Sequence, residues 1–86
     1  MAAPRPVITL YGRPGCSLCD HALDLLQTLA PRFAFDVDVV NIEQDDALHA
    51  RYLVEIPVIA YGERELARAP IRAAALEDAL TEALGR

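Results

Sequence analysis

Both cysteines of this 86-residue chain stand in one tetrapeptide, Cys16-Ser17-Leu18-Cys19, between two segments of different periodicity. Ahead of it, Val7-Ile8-Thr9-Leu10-Tyr11 is short, β-branched and apolar, and Gly12-Arg13-Pro14-Gly15 ends it, which reads as a buried strand running into a turn. Behind it, Leu18, Ala22, Leu25 and Leu29 recur at helical spacing, with Leu23 and Leu26 widening the stripe, and Pro31 is expected to close the helix. The thiol pair therefore falls where a strand hands over to the first turn of a helix. A long-range staple is impossible with this spacing. A bridge closing so short a loop contributes only about 2 kcal/mol, against ~3 for a 15-residue loop.

The rest of the chain supplies the partners for that junction. A second strand is expected from Phe33 to Asn41, where Phe35, Val37 and Val39 alternate with Asp36 and Asp38 as on a half-exposed strand near a sheet edge. Asp45 and Asp46 suit the N-terminus of a short helix carrying Leu48 and Tyr52. Glu55 to Tyr61 reads as a third strand, and Gly62-Glu63-Arg64 turns it back into a brief strand around Glu65 to Ala67. Pro70 is expected to start the last helix, with Leu76, Leu80 and Leu84 in register and Gly85 as its stop. The order is βαβαββα. Its two opening βα units imply a parallel strand pair with a right-handed crossover, and its closing hairpin adds antiparallel strands. The expected architecture is α/β, one four-stranded mixed sheet flanked by helices. Residues 1–6 form a short tail and residues 7–86 one domain, since a chain of this length has no room for two cores.

Composition narrows the function classes. A hydrophobic share of 53% excludes a disordered chain, and no run of ~18 apolar residues spans a bilayer. The opening Met-Ala-Ala-Pro-Arg-Pro has no apolar stretch of signal-peptide kind, so a cytoplasmic location is expected. A net charge of −5 argues against nucleic acid or an anionic membrane as partner.

A dithiol at a helix start suits redox chemistry. The thiolate is the attacking species, and the unpaired amides and dipole of a helix N-terminus favour it. Cys16 is placed to attack, with Arg13 three residues earlier adding positive charge. Cys19, one turn along and deeper in the helix, is placed to resolve a mixed disulfide. A zinc site would need four ligands, and only His21 and His49 remain as nitrogen donors. Both histidines read as solvated helix residues, and Tyr11, Phe33, Phe35 and Tyr52 as core.

The combined pattern resembles the thioredoxin fold and, within it, the short bacterial glutaredoxin-like proteins. The residues that carry the likeness are Ile8 to Tyr11, the run from Gly12 to Asp20, and Ile56-Pro57-Val58, and it extends from about Ile8 to Leu84. The resemblance implies a thioredoxin-like arrangement of the βαβαββα order and a thiol–disulfide oxidoreductase acting in electron transport and redox homeostasis. It implies that Pro57 is cis beside the sulfurs, that Ile56 offers backbone groups to an extended substrate strand, and that Arg13 matches a basic residue that holds a glutathione carboxylate. No dissociable cofactor is implied, only a thiol reductant such as glutathione or a thioredoxin system. The partner would be a disulfide-containing protein or a low-molecular-weight thiol, and the chain is expected to be a monomer. The sequence also departs from the pattern. Ser17-Leu18 replaces the Pro-Tyr of glutaredoxins, Glu55 stands where they carry Thr, and Leu66 to Pro70 replaces their Gly-Gly…Asp element. Two alternatives stay open: a binding or adaptor protein of this fold with little turnover, and a metal-handling module using the cysteine pair. Copper-chaperone domains, however, have βαββαβ order and a Met where this chain has Pro14.

Overall fold

The computed structural model describes residues 4–86. Residues 1–3 of the expected tail lie outside that range; Pro4 to Pro6 lead without regular structure into the first strand. Seven regular elements follow: β1 (Val7–Gly12), α1 (Ser17–Phe33), β2 (Asp36–Asn41), α2 (Asp46–Tyr52), β3 (Val58–Tyr61), β4 (Arg64–Arg68) and α3 (Ala73–Leu84). A 3-10 turn, Ile42–Gln44, links β2 to α2. Asp45 caps α2, its carboxylate accepting from the Leu48 amide at 3.1 Å.

The four strands form one mixed sheet in the order β2-β1-β3-β4. β1 and β2 run parallel, from Val7 opposite Asp36 to Gly12 opposite Asn41, with α1 as the crossover. β3 runs antiparallel to β1, with Leu10 opposite Ile59 and Tyr11 opposite Val58, and β4 returns beside β3. Alternation along β1 sends Ile8 and Leu10 to one face and Tyr11 to the other. On the first face, Ala22, Leu26, Leu29 and Phe33 of α1 and Leu76 and Leu80 of α3 enclose the main core with Phe35 and Ile59. On the second face, Tyr52 of α2 joins Ile42 and Val58 and stacks on Tyr11 with ring centroids 4.9 Å apart.

Several boundaries differ from the sequence reading. Pro31 does not end α1, which continues to Phe33. Proline removes one amide donor, but Phe33 is buried in the core and holds the last turn in place. Ala34 then ends the helix in the left-handed conformation, φ 58°, its amide donating to the Ala30 carbonyl at 2.8 Å. β2 consequently begins at Asp36, with Phe35 buried just ahead of it. β3 begins at Val58 rather than Glu55, and α3 at Ala73 rather than Pro70. The buried line of α1 is also rotated: it runs through Cys19, Ala22, Leu26, Leu29 and Phe33, and leaves Leu18 59% exposed.

An L-residue in the left-handed region costs about 1–2 kcal/mol, more than the ~0.5–1 kcal/mol of extra backbone entropy a glycine loses. Ala34→Gly is therefore expected to stabilise the fold by about 0.5–1 kcal/mol, raising the thermal midpoint by several degrees. A lower midpoint in thermal unfolding would count against Ala34 as the strained terminator of α1.

Candidate functional site

Gly12 ends β1, and a turn through Pro14 and Gly15 (φ 75°) brings the chain to Cys16. Cys16 is the N-cap of α1, with extended backbone at φ −100° and ψ 103°. Its sulfur takes the part that a Ser, Thr or Asp oxygen usually plays, accepting from the Cys19 amide at 3.1 Å. The Cys16 carbonyl accepts the Asp20 amide at 3.1 Å, which starts the helical ladder. Cys16 and Cys19 are joined in a disulfide with their Cα atoms 5.2 Å apart, inside the usual range of roughly 4.4–6.8 Å. Cys16 is half-buried, whereas Cys19 is 6% exposed.

Cys19 lies against the end of β1. A Cβ placed on Gly12 would come within 3.1 Å of the Cys19 sulfur and 3.2 Å of its Cβ, tighter than ordinary van der Waals contact. Gly12 is thus a site residue that the sequence reading took only for a turn former. The signal was its place, the last residue of the strand and four before Cys16.

The antiparallel register of β1 and β3 carries Pro57 to the same place. Tyr11 opposite Val58 is the last pair of that ladder, so Pro57 immediately precedes its end as Gly12 immediately follows it on β1, and Pro57 is fully buried. The Ile56–Pro57 peptide bond is cis, as is Ala69–Pro70. The loop before Pro57 is folded back on α2: the Tyr52 carbonyl accepts both the Glu55 amide at 2.8 Å and the Ile56 amide at 3.1 Å. Among the described residues no donor reaches the Ile56 carbonyl, so that oxygen is the main-chain group Ile56 has free. The same loop is tied to β4. Arg68 donates to Glu55 at 3.0 Å and to both carboxylate oxygens of Glu65, and Pro57 accepts from the Ala69 amide at 3.0 Å. The hydrogen bonds to Glu65, and then the charge of Glu55, hold the Arg68 guanidinium above its usual range.

Two cavities flank the α1 N-terminus on opposite faces. One, of about 290 Å³, is lined by Leu18, His21 and Leu25 of α1, by Pro57, and by Pro70 and Ile71 before α3. The other, of about 250 Å³, lies over Gly12 and Cys19 and is walled by Leu23, Val39, Asn41 and Arg13. Arg13 and Cys19 thus line one cavity and Pro57 the other, with Cys16 joined to Cys19 by the disulfide and Ile56 preceding Pro57 across the cis bond. His49 lies in the last turn of α2. Among the described residues, no three His, Cys, Asp or Glu side chains converge as a metal ion would require. Nor is any helix there long and apolar enough to cross a membrane.

Residues 7–81 match the family model described as Glutaredoxin-like domain (DUF836). A structural-genomics protein from X. campestris, solved by X-ray methods, is 33% identical with a TM-score of 0.74, the match covering 87% of this chain and 96% of that one. A second such protein, from Nitrosomonas europaea and solved by NMR, is 26% identical with a TM-score of 0.73, covering 91% and 93%. Thioredoxin 1 from Thermosipho africanus, at 23% identity and a TM-score of 0.67 over 92% and 94% of the chains, shares the fold.

The Gly12 contact has a measurable consequence. Gly12→Ala places a methyl group where the Cys19 sulfur must give way, an overpacking expected to cost about 1–3 kcal/mol. Denaturant unfolding of the oxidised protein checks this, and an unchanged midpoint would mean that α1 shifts freely against β1.

Proposed function

The chain belongs to the family of glutaredoxin-like domains, and on that premise we propose that it is a thiol–disulfide oxidoreductase working through Cys16 and Cys19. One observation carries the reading: the cysteines are bonded to each other at the N-terminus of α1, the more accessible one as its cap and the other beneath it. In the reduced protein the Cys16 thiolate attacks one sulfur of a substrate disulfide. A bond forms between Cys16 and that sulfur, the substrate S–S bond breaks, and the departing thiolate takes a proton. Cys19, deprotonated, then attacks the Cys16 sulfur, expels the second substrate thiolate and closes the Cys16–Cys19 bridge. The substrate gains two electrons and the protein loses two.

A thiol reductant returns the bridge to the dithiol, with glutathione or a thioredoxin system as the donor and no dissociable cofactor. The reducing cytoplasm is the compartment in which such a cycle runs. The cap geometry supports Cys16 as nucleophile. The Cys19 amide that donates to its sulfur at 3.1 Å would make a stronger, charge-assisted bond to a thiolate, and the dipole of α1 adds to it. Cys19, shielded by Gly12 and α1, suits the second, intramolecular step.

Cys16→Ser is expected to abolish exchange with a model disulfide, while Cys19→Ser accumulates a mixed disulfide visible as a mass increment. Exchange surviving in Cys16→Ser would overturn the assignment. A redox titration read by thiol-trapping mass shifts should give a reversible midpoint between about −180 and −280 mV. The thiolate is the reactive form, so alkylation of reduced Cys16 should rise with pH and level off, with its midpoint below that of free cysteine. A midpoint at or above the free-cysteine value would instead favour an adaptor with little turnover.

A further inference from the structure

We propose that the cavity over Cys19, between α1 and the edge strand β2, binds a free α-amino acid with an apolar side chain. Its floor is made by the buried residues Leu10, Gly12 and Cys19, and its apolar walls by Leu23 of α1 and Val39 of β2. Alternation along β2 sets Val39 on the face that Val37 turns toward the main core, yet Val39 is 54% exposed. The helix covers β1 and stops short of this end of β2, which leaves a hollow of about 250 Å³. An aliphatic cavity of ~150 Å³ is enough to accept benzene. This one therefore has room for a branched or aromatic side chain with its polar end at the mouth. Cys19 in the floor makes that side chain a neighbour of the bridge, although the binding chemistry holds whether or not the bridge turns over.

Three polar side chains stand among these apolar walls: Arg13, Asp20 and Asn41. Arg5, Arg32, Arg64 and Arg68 each pair with a carboxylate, whereas among the described residues neither Arg13 nor Asp20 enters an ion pair. Asn41 spends its side-chain oxygen on the Glu43 amide at 2.9 Å, which leaves its NH2 group to donate elsewhere. One guanidinium, one amide NH2 and one carboxylate around an apolar hollow complement an amino-acid zwitterion. The ligand carboxylate accepts from Arg13 and Asn41, its ammonium donates to Asp20, and its side chain replaces water over Leu10, Leu23 and Val39. A simple anion would face Asp20 and a simple cation Arg13, so the site favours a ligand that carries both charges. A peptide fits less well, because only a free amino acid bears both on one carbon. Glutathione has such a head at its γ-glutamyl end, but the body behind it is polar.

The test titrates the oxidised full chain with L-phenylalanine and follows the backbone amide signals by NMR. Binding should saturate with a Kd below about 1 mM and move the signals of Gly12, Leu23 and Val39. Phenylalaninamide lacks the carboxylate and N-acetylphenylalanine the ammonium, and each should bind at least about tenfold more weakly. Arg13→Gln should bring phenylalanine and phenylalaninamide to within about threefold of each other, and Asp20→Asn should do the same for phenylalanine and N-acetylphenylalanine. Both side chains are exposed, so neither variant touches the core. No shift up to about 10 mM phenylalanine overturns the site. Shifts confined to Leu18, Leu25 and Ile71 put the ligand in the other cavity and overturn it as well. Aspartate or glutathione binding as tightly as phenylalanine overturns the apolar side chain as the selected feature. A preference for phenylalanine that Arg13→Gln and Asp20→Asn leave unmoved overturns the recognition of the zwitterion.

Discussion

The space between the end of β1 and the first turn of α1 admits a sulfur atom only because residue 12 has no side chain. That contact sets how closely the helix approaches the sheet and which way its first turn faces. β1 is an inner strand, paired on both sides, so its end is held in place by the register with β2 and by the register with β3. The helix N-terminus settles onto a fixed point, and the cysteine pair is carried with it. Stability alone would not require this arrangement, since the bridge closes too small a loop to matter much. It makes sense as a way to hold one sulfur outward and the other inward at the end of a rigid strand.

The second wall of the site is held by different means. The chain between Tyr52 and Pro57 closes on itself through the Tyr52 carbonyl, and Arg68 ties Glu55 to β4. Exposed ion pairs of this kind contribute little to stability. Their effect here is on position: they fix where Glu55 lies and therefore which way the Ile56 amide points. That amide is turned onto the end of α2, where the Tyr52 carbonyl accepts it.

Much of this was legible in the residues. The strand–turn–helix junction stood out because two periodicities meet there, and the βαβαββα order followed from the apolar stripes and turn residues behind it. The resemblance added the fold and its redox character, and the family match and the solved structures bear out that coarser statement. What was not legible depended on contacts between distant segments. Pro31 looks like a stop by local rules, yet the burial of Phe33 decides where α1 ends. Residues 18, 22, 25 and 29 fit a helical stripe about as well as 19, 22, 26, 29 and 33, and it is the seating of Cys19 on Gly12 together with the burial of Leu26 and Phe33 in the core that chooses between them. The engagement of the Ile56 amide depends on where α2 ends, which no local pattern reveals.

That choice of helical phase ties the exposure of Leu18 to the seating of Cys19. Neighbouring residues on an α-helix project about 100° apart, so turning Cys19 under the sheet necessarily swings Leu18 toward the groove beside Pro57. The two placements cannot be adjusted independently: a rotation of α1 that buried Leu18 would lift Cys19 off Gly12 and change how its sulfur meets Cys16. A substitution that enlarged residue 12 would press on the same linkage from the other side. The exposed leucine and the buried cysteine are therefore two consequences of a single packing decision. A larger apolar residue at position 18 would extend the groove wall without disturbing the sulfur beneath, whereas a larger residue at position 12 would disturb both.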